Sequence, residues 1–563
     1  MAPFAAARGP VARSRNWYDA AAAWSARSPK RHRARACRIS CAVPPRATPP
    51  IDFAHAYSSG SLDDFFEVAP GDLERALALP RPPERAALVA ALRRHALALG
   101  APAPVLANLE RLAHPEARAV VTGQQTGLLL GPTYSLSKAM TAIALAKRLD
   151  SEERPVVPVF WLATQDHDAH EMDNTYLLDA SETLRRISVT LPEGVAVGRV
   201  PLTKELVAEV AAGLATLTPA PRFRRSVWEL LEGAASSVAT YSDWFAALFT
   251  RLLGDAGLVL IDPLRPDVAE QFVPIIEREL ADPLATPAAI NAAGRRLKEL
   301  GYEPQLGRAQ GATNLFVESD GKRLLLRATA GGFMAEDERF TRADLMALLA
   351  ADPTAITPAA GLRPVTQDFA LPTAVFVLGP GELRYVSQLK DVYRFHGVPM
   401  PLAWQRATAT VIEPVTARLL AGLGISAASF RARRRELQEQ VLLERHGHAE
   451  RFRTAAGRIE AELEGLLTEV DGIDPTLAGT VKRGRRYLEE TLARLRGKTS
   501  AALAARDEVT TRQFDRLAAH LLPLGQPAER VLSPFSHALK FGIEPLMDRF
   551  ATLAPEHDQE LFL

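Results

Sequence analysis

Cysteine is almost absent from this 563-residue chain, because its two copies, Cys37 and Cys41, both lie within the first 50 residues. Everything after residue 50 can therefore form no disulfide bond, and it offers no thiolate nucleophile and no cysteine-ligated zinc. Such a composition suits the reducing cytosol, and we expect a cytoplasmic location. The two cysteines have no second pair to complete a metal site, and we predict no metal centre.

Long apolar stretches are missing too, since none approaches the roughly 18 residues that span a membrane. The chain is 47% hydrophobic and 24% charged, as is typical of globular domains. A strong excess of one charge is also lacking, because the net charge is only +1. Residues 1–50 hold ten of the 67 basic residues and one of the 66 acids, which leaves −8 for the remainder. A mildly acidic body argues against a dedicated nucleic-acid-binding protein, and we expect neither nucleic acid nor membrane as a partner.

Residues 1–50 are rich in Ala, Arg, Ser and Pro and show no sustained periodicity. This composition resembles an organelle transit peptide or a disordered basic arm. A start codon placed too far upstream is a third explanation. We predict a disordered basic tail over these residues.

Two wholly apolar runs, Ala119–Thr122 and Val156–Leu162, flank a helical pattern at about Thr133–Leu149. Continuous apolar strands joined by an amphipathic helix are typical of a βαβ unit whose parallel strands are buried on both faces. Ligands bind beyond the carboxyl ends of the strands in such sheets. The glycine-punctuated segment 123–131 and the polar segment 164–168 are both expected at that edge.

The rest of residues 51–424 continues the α/β pattern with two interruptions. An insertion at about 171–250 contains a polar strand-like part, Arg186–Leu202, and a second at about 284–360 contains a hairpin around Asp320-Gly321. Further strands of the sheet are predicted at 257–263, 373–378 and 398–404. The predicted fold class is α/β, with a parallel sheet and two insertions.

Residues 425–522 change to a heptad pattern, in which apolar residues repeat with the 4-3 spacing of a coiled-coil seam. A break at Gly472-Ile473-Asp474-Pro475 separates two such helices, which predicts an antiparallel hairpin. Residues 523–563 are expected to return to the core. The seam residues are Phe452, Ala456, Ile459, Leu463, Leu466 and Val470, then Val481, Leu488, Leu495 and Ala502.

The first glycine loop is neither a Walker A loop nor a GxGxxG fingerprint. Gly123 and Gly127 allow close backbone approach to an anion at the start of the next helix, where Lys138 could add charge. The simpler explanation is a strand-to-helix turn that needs glycine. The amide pair Gln124 and Gln125 favours a binding role.

Titratable groups concentrate after the second apolar run, at Asp166, His167 and Asp168. General-base catalysis, ammonium recognition and metal ligation are all chemically open to them. Consecutive strand residues point to opposite sides, which weakens the metal hypothesis. The alternative is a solvated strand exit with one capping Asp.

Two more polar segments border the strand predicted at 373–378. Arg363 suits a carboxylate or phosphate, although a salt bridge to Asp368 or Glu382 would explain it equally. Three such segments at the ends of three strands indicate a small-molecule site. The full set of predicted binding residues here is Arg363, Gln367, Asp368, Gly379, Gly381, Glu382 and Gln388.

Several of these segments together resemble the BshC family of cysteine ligases in bacillithiol biosynthesis. The resemblance is carried in order by VTGQQTGLLLGPTYSLSKAMTAIALAKRL, VPVFWLATQDHD, GLVLIDP, LRPVTQDFALPT, LGPGELRYVSQLK, GVPMP and LLPLGQPAERVLSPFSHALKFG. It extends from about Ser61 to the C-terminus. It implies a Rossmann-like core with connective-peptide insertions, similar to class I aminoacyl-tRNA synthetases, and a coiled coil used in homodimerisation.

The activity that the resemblance implies is the last step of bacillithiol synthesis, in which the carboxyl of cysteine is joined to the amine of glucosaminyl malate. ATP is the expected co-substrate, with Mg²⁺ as an option, and no bound prosthetic group is predicted. Two alternatives stay open. One is a nucleotidyltransferase that holds Mg²⁺ on Asp166 and Asp168. The other is a synthetase-like RNA binder that uses the basic residues of the hairpin: Arg431, Arg433, Arg434, Arg435, Lys482, Arg483, Arg485 and Arg486.

Overall fold

The computed structural model describes residues 52–80 and 85–563, so the predicted tail at 1–50 lies outside the described residues. The strands are β1 Arg118–Gln124, β2 Val156–Leu162, β3 Asn174–Leu178, β4 Leu184–Ser188, β5 Val259–Ile261, β6 Ala312–Ser319, β7 Lys322–Thr329, β8 Gly332–Ala335, β9 Glu338–Phe340, β10 Ile356–Pro358, β11 Thr373–Leu378, β12 Leu402–Gln405, β13 Ala409–Ile412 and β14 Gln559–Phe562.

The helices before and within the α/β part are α1 Phe53–Ser58, α2 Leu73–Leu77, α3 Ala86–Ala98, α4 Ala103–Leu112, α5 Tyr134–Leu149, α6 Ala169–Met172, α7 Lys204–Ala215, α8 Arg224–Ala235, α9 Tyr241–Leu253, α10 Pro266–Ala269, α11 Val273–Ala281, α12 Ala285–Glu299, α13 Arg342–Ala351, α14 Arg363–Ala370, α15 Pro380–Val386 and α16 Lys390–His396. Those that follow are α17 Pro414–Leu423, α18 Ala427–Arg445, α19 Ala449–Ile473, α20 Ala478–Ala504, α21 Glu508–Leu521, α22 Phe535–Phe541 and α23 Ile543–Phe550.

The central sheet has five parallel strands in the order β12-β11-β1-β2-β5. The chain builds outward from β1 to β2 and β5, and later returns to the other side of β1 with β11 and β12. The strand order therefore reverses between β1 and β11. In open α/β sheets a crevice forms at such a switch point, outside the carboxyl ends of the strands. The predicted α/β class is confirmed.

Apolar content explains why β1 and β2 lie at the centre of the sheet. Every residue of β2 is buried, and so is β1 up to Gly123. At Gly123 the two strands pass so closely that an added Cβ would lie 2.7 Å from the carbonyl oxygen of Trp161. Strand packing therefore requires glycine at position 123. This packing explains the residue without a bound ligand.

The second insertion carries its own five-stranded sheet, in the order β10-β6-β7-β8-β9. Strands β6 and β7 pair antiparallel, which confirms the predicted hairpin around Asp320-Gly321. In the first insertion the predicted strand Arg186–Leu202 is wrong in extent. Strand β4 pairs with β3 only up to Ser188, and a single bridge joins Pro201 to Thr240. The strand does not continue between them because Pro192 has no amide to donate and Gly194 turns the chain at φ 77°.

The strand predicted at 398–404 is confirmed but begins late, at Leu402. Pro399 and Pro401 lack the amide hydrogens that a ladder needs, so pairing starts only after them. Arg363 and Asp368 also differ in setting from the expectation. They belong to the helix α14, whose first residue is Arg363 and whose chain leads into β11.

Four helices, α18 to α21, form the helical region that contains the predicted hairpin. Helices α19 and α20 pack against each other on either side of a turn at residues 474–477. No residue of α19 is fully buried. Seam residues stay open in this single chain, with Leu466 50%, Leu488 37% and Leu495 54% exposed. Two helices thus leave much of the apolar seam uncovered.

The last part of the chain packs onto the α/β part. Strand β14 pairs in parallel with β13. The carbonyl of Leu532 accepts hydrogen bonds from the amide and hydroxyl of Thr133. Among the described residues, no helix combines the length and apolarity needed to cross a membrane.

Candidate active site at the strand-order reversal

Lys138 is a buried cation in the crevice between β1 and β11. It lies on α5, and its Nζ is 2.5 Å from Glu382 Oε2. The ammonium also donates to the carbonyl of Gly123 and to Gln124 Oε1, each at 2.9 Å. Burial lowers the pKa of Lys138, against the opposing effect of Glu382. Since three acceptors use its three protons, Lys138 orients Glu382 and Gln124 and has none left for a ligand.

Two glutamines continue this chain of hydrogen bonds toward β2. Gln124 Nε2 donates to Gln125 Oε1 at 2.9 Å. Gln125 Nε2 donates in turn to Asp166 Oδ2 at 2.9 Å and to Glu171. Lys138 can only donate and the carboxylates can only accept, so the orientation of both amides is fixed.

Asp166, Asp168 and Glu171 gather negative charge at the end of this chain. Asp166 Oδ1 accepts the amide of His167 at 2.8 Å, and Asp168 caps α6 by accepting the amide of His170 at 3.2 Å. The capping Asp expected as the simpler explanation is thus present. Partial burial and repulsion from Asp166 and Asp168 raise the pKa of Glu171. Such a cluster favours a cationic ligand.

Arg323 meets this cluster from the second insertion and was missed by the sequence analysis. Its Nη1 lies 3.0 Å from His167 Nδ1, and its guanidinium lies 3.9 Å from the ring centre of Phe316. Burial lowers the pKa of Arg323 to about 10, against the opposing charge of Asp166. Nothing around position 323 in the sequence singled it out from other strand arginines.

Arg363, at the start of α14, lies near enough to Lys138 and Glu382 for its charge to interact with theirs. It donates to Gln367 Oε1 at 3.0 Å and to the hydroxyl of Tyr385 at 3.2 Å. Burial alone would lower its pKa, but Tyr385 and Glu382 raise it overall. Neither of the salt bridges considered above forms, because within the described residues no carboxylate lies within 4 Å of Arg363.

Two of the predicted binding residues lie behind the crevice and have structural contacts. Asp368 is buried and accepts the hydroxyl of Tyr393 at 2.6 Å, and burial raises its pKa to about 6. Gln388 is buried, and its Oε1 accepts the amides of Gln305 and Leu306 at 2.9 and 2.8 Å. Both side chains hold secondary-structure elements together.

The start of α5 differs from the expected anion cradle. The amide of Thr133, which would face an anion, donates to the carbonyl of Leu532. The C-terminal part of the chain therefore covers this helix start. Gly127 also suits the packing of the loop itself, since an added Cβ would lie 3.2 Å from Gly131 Cα.

The two glycines of the loop after β11, both predicted to bind a ligand, differ in their surroundings. The amide of Gly379 donates to Glu382 Oε2 at 2.7 Å, which helps to fix that carboxylate. A Cβ at Gly381 would meet nothing within 4 Å. Gly381 therefore borders open space, and Glu382 Oε1 has no hydrogen-bond partner among the described residues.

Arg406 and Tyr134 complete the wall of the crevice and were also missed. Arg406 forms a buried two-point ion pair with Glu529, at 2.6 and 2.9 Å. Its guanidinium lies 5.5 Å from the ring of Tyr134, whose hydroxyl accepts from Gln124 at 3.1 Å. Burial and the charge of Glu382 raise the pKa of Tyr134 to about 12. Glu529 lies far along the chain, so no local pattern indicated this pair.

Metal ligation has no candidate cluster in the part of the chain that the structure describes. No group of three or more His, Cys, Asp or Glu side chains there has a geometry suited to a metal ion. The carboxylates near Gln125 are engaged with amides instead.

Comparison with known families gives two matches that together cover most of the chain. Residues 48–407 match the family described as "Bacillithiol biosynthesis BshC, N-terminal Rossmann-like domain". Residues 409–560 match the one described as "Bacillithiol biosynthesis BshC, C-terminal coiled-coil domain". The predicted Rossmann-like core and coiled-coil region are thereby confirmed.

Curated relatives are similar over nearly their full length. A Thermus thermophilus protein named "Putative cysteine ligase BshC" is 40% identical over 463 residues, which cover 81% of this chain and 90% of the relative. A protein of the same name from Symbiobacterium thermophilum is 34% identical over 484 residues, 82% of this chain and 86% of the relative. A solved Thermus thermophilus arginyl-tRNA synthetase aligns with 83% of this chain and 86% of its own, at 11% identity and a TM-score of 0.16, which is too low to carry an argument.

Proposed function

The chain belongs to the BshC family of bacillithiol biosynthesis, and from this premise we propose that it is a ligase that joins cysteine to glucosaminyl malate. The new bond is an amide between the carboxyl carbon of cysteine and the amine nitrogen of the sugar. The product is bacillithiol, and this is the last step of its synthesis.

One observation carries the placement of this reaction in the crevice. A continuous hydrogen-bond chain runs from Glu382 through Lys138, Gln124 and Gln125 to Asp166. It joins the carboxyl ends of β11, β1 and β2 where the strand order reverses. Pre-oriented polar groups at such a position are what a small-molecule site requires.

The charges of the crevice fit the charges of the two substrates. The acidic cluster of Asp166, Asp168 and Glu171 suits the ammonium of the sugar, and the open Oε1 of Glu382 suits that of cysteine. An amine must lose a proton before it attacks an acyl carbon. Glu171, with its raised pKa, is the base that we assign to this step. Arg363 remains the candidate for a substrate carboxylate.

Cysteine's carboxylate must be activated before an amine can displace one of its oxygens. We assign this to ATP as co-substrate, with Mg²⁺ accompanying the nucleotide. The activated oxygen leaves with AMP or with phosphate, and the sugar nitrogen takes its place on the carbon. Lys138 is paired with Glu382 and Arg406 with Glu529, whereas Arg363 and Arg323 have no carboxylate partner among the described residues and are the cations that we assign to the nucleotide phosphates.

A homodimer through the helical hairpin and a cytoplasmic location are part of the same proposal. The exposed seam of α19 and α20 supports the dimer, because Leu466, Leu488 and Leu495 lie in the predicted heptad positions. RNA binding by the arginines of α18 and α20 has less support. Arg434 and Arg485 are paired with Asp515 and with Glu460 and Glu489.

The test is purified protein incubated with cysteine and glucosaminyl malate, without nucleotide and with ATP or GTP in turn. Mass spectrometry measures bacillithiol, and ³¹P NMR separates AMP with pyrophosphate from ADP with phosphate. Bacillithiol that depends on ATP supports the proposal. No bacillithiol under any nucleotide condition contradicts it, and pyrophosphate release without cysteine would favour a nucleotidyltransferase.

A further inference from the structure

Arg323 and His167 define a hydrogen bond whose direction has a chemical consequence. A guanidinium can only donate, so the Nδ1 of His167, 3.0 Å from Arg323 Nη1, must be the acceptor. The neutral ring then carries its proton on Nε2. If both ring nitrogens were protonated, the Nδ1–H of His167 would face an N–H of Arg323, and two positive charges would lie side by side.

Arg323 itself is fixed from three sides by neutral groups. Its Nε donates to Thr357 Oγ1 at 2.8 Å and its Nη2 to the carbonyl of Pro358 at 2.7 Å. The backbone amide of Arg323 also donates to Gly194 of the first insertion at 2.9 Å. The second insertion thus holds the guanidinium against the imidazole, and the first insertion holds the backbone of Arg323. No described carboxylate lies within 4 Å of it, so its charge is left without an ion pair.

The other nitrogen of His167 is free. Nε2 has no hydrogen-bond partner among the described residues and is not among their fully buried polar atoms. The charged groups that act on the ring are Arg323, Asp166 and Asp168, and burial with the charge of Arg323 lowers the pKa of His167. At neutral pH the ring therefore offers one N–H donor to the crevice and no base.

We propose that Arg323 holds His167 as the Nε2–H tautomer, so that His167 binds a carboxylate of the malyl group of glucosaminyl malate as a hydrogen-bond donor. The inference rests on the proposed function and gives His167 a binding role in place of the general-base role that the sequence left open to it. Glucosaminyl malate carries an amine and carboxylates on one molecule. The acidic cluster around Asp166 and the donor at His167 are adjacent in the chain and match that bipolar pattern. Arg323 is a positioning residue, since it acts through His167.

A long-range ¹H–¹⁵N correlation spectrum of the full chain labelled on histidine nitrogens tests the tautomer without any assay of activity. His167→Gln identifies the signals of His167 by their loss. The expected ring has its proton on Nε2, and adding glucosaminyl malate shifts that nitrogen. A proton on Nδ1, or saturating glucosaminyl malate that leaves the His167 signals unmoved, overturns the inference. An Nε2–H ring that shifts with ligand, in a protein that makes no bacillithiol, would contradict the proposed function alone.

Kinetics provide the second readout. Gln can present an N–H near the position of Nε2 and cannot act as a base, whereas Ala does neither. We expect His167→Gln to have a KM for glucosaminyl malate about tenfold or more below that of His167→Ala, with the acidic limb of the pH profile unchanged. Arg323→Gln should raise the same KM and leave the KM for cysteine alone, while Arg327→Gln, an exposed arginine of the same strand, should change neither. Equal inactivity of both His167 variants with loss of the acidic limb would show that His167 is a base and overturn the proposal.

Discussion

Gln125 Nε2 lies 2.9 Å from Asp166 Oδ2, and this contact ties the loop after β1 to the end of β2. The amide is orientated from its other side by Gln124, which Lys138 fixes in turn. The acidic cluster and the buried ion pair of Lys138 with Glu382 are therefore parts of one network. A substitution at one end of the network is therefore expected to alter the hydrogen bonding of the residues at the other end.

Glu171 is the first group to test within that network. Because its pKa is raised, Glu171 keeps its proton to a higher pH than an ordinary carboxyl, and activity should rise with pH as it ionises and becomes a base. Glu171→Gln should lower kcat by about 10²-fold and remove this limb from the pH profile. His170→Gln, at an exposed neighbour, is the matched control and should keep the profile. An unchanged profile in Glu171→Gln would assign the base elsewhere.

Lys138→Met leaves Glu382 in the crevice without its cation. Removing one partner of a buried pair costs about 3 kcal/mol in unfolding free energy, and urea denaturation followed by circular dichroism measures this. Lys147→Met changes an exposed lysine of the same helix and should cost little. If the two variants unfold at the same urea concentration, Lys138 does not stabilise the crevice.

The depressed pKa of Glu413 predicts how the free energy of unfolding decreases in acid. Burial raises its pKa, but hydrogen bonding and charge from His537, together with Lys540, outweigh this and lower the pKa from 4.5 to about 2. A carboxyl with a depressed pKa contributes its stability above the unfolded value and loses it as pH falls through the folded one. We expect a loss of about 3 kcal/mol between pH 5 and about 2.

Glu413→Gln should remove this contribution at neutral pH and flatten the acid dependence. Chemical denaturation at a series of pH values measures both effects. Glu462→Gln, on an exposed site of α19, should follow the parent curve. A parent-like curve for Glu413→Gln would mean that the ion cluster contributes nothing net to stability.

The exposed seam of the hairpin predicts the oligomeric state. The double substitution Leu466→Glu and Leu495→Glu puts charges on two seam positions that are 50% and 54% exposed in the single chain. Light scattering after size exclusion should show a dimer for the parent and a monomer for this variant. Leu97→Glu changes an equally exposed leucine on α3 and should stay dimeric. A parent that is monomeric at micromolar concentration would refute the proposed dimer.

Much of the fold could be predicted from the sequence because its signals are local. The apolar runs of β1 and β2 and the helical period of α5 are close together in the chain. The heptads of α19 and α20 are equally local, and so is the hairpin turn at Asp320-Gly321. Predicted strand boundaries were wrong where prolines lack the amide hydrogen that pairing needs, as Pro399 and Pro401 do before β12.

The candidate site was predictable only in part, because the residues that the sequence did not single out lie in distant segments of the chain. Arg323 reaches His167 across 156 positions, and Glu529 reaches Arg406 across 123. Gln388 illustrates the converse. Its neighbourhood in the sequence resembles a binding loop, yet its amide holds the backbone of residues 305 and 306. Sequence reasoning cannot distinguish a buried structural amide from one that faces a ligand.

We propose that the network from Glu382 to Asp166 is the centre of an amide-forming ligase. The most direct measurement is the initial rate of bacillithiol formation by the parent and by Gln125→Ala, with folding checked by circular dichroism and with Gln440→Ala on α18 as control. The parent and the control should form bacillithiol from cysteine, glucosaminyl malate and ATP, while Gln125→Ala should be folded and slower by about 10²-fold. A folded Gln125→Ala that turns over at the parent rate would contradict the assignment of the reaction to this network.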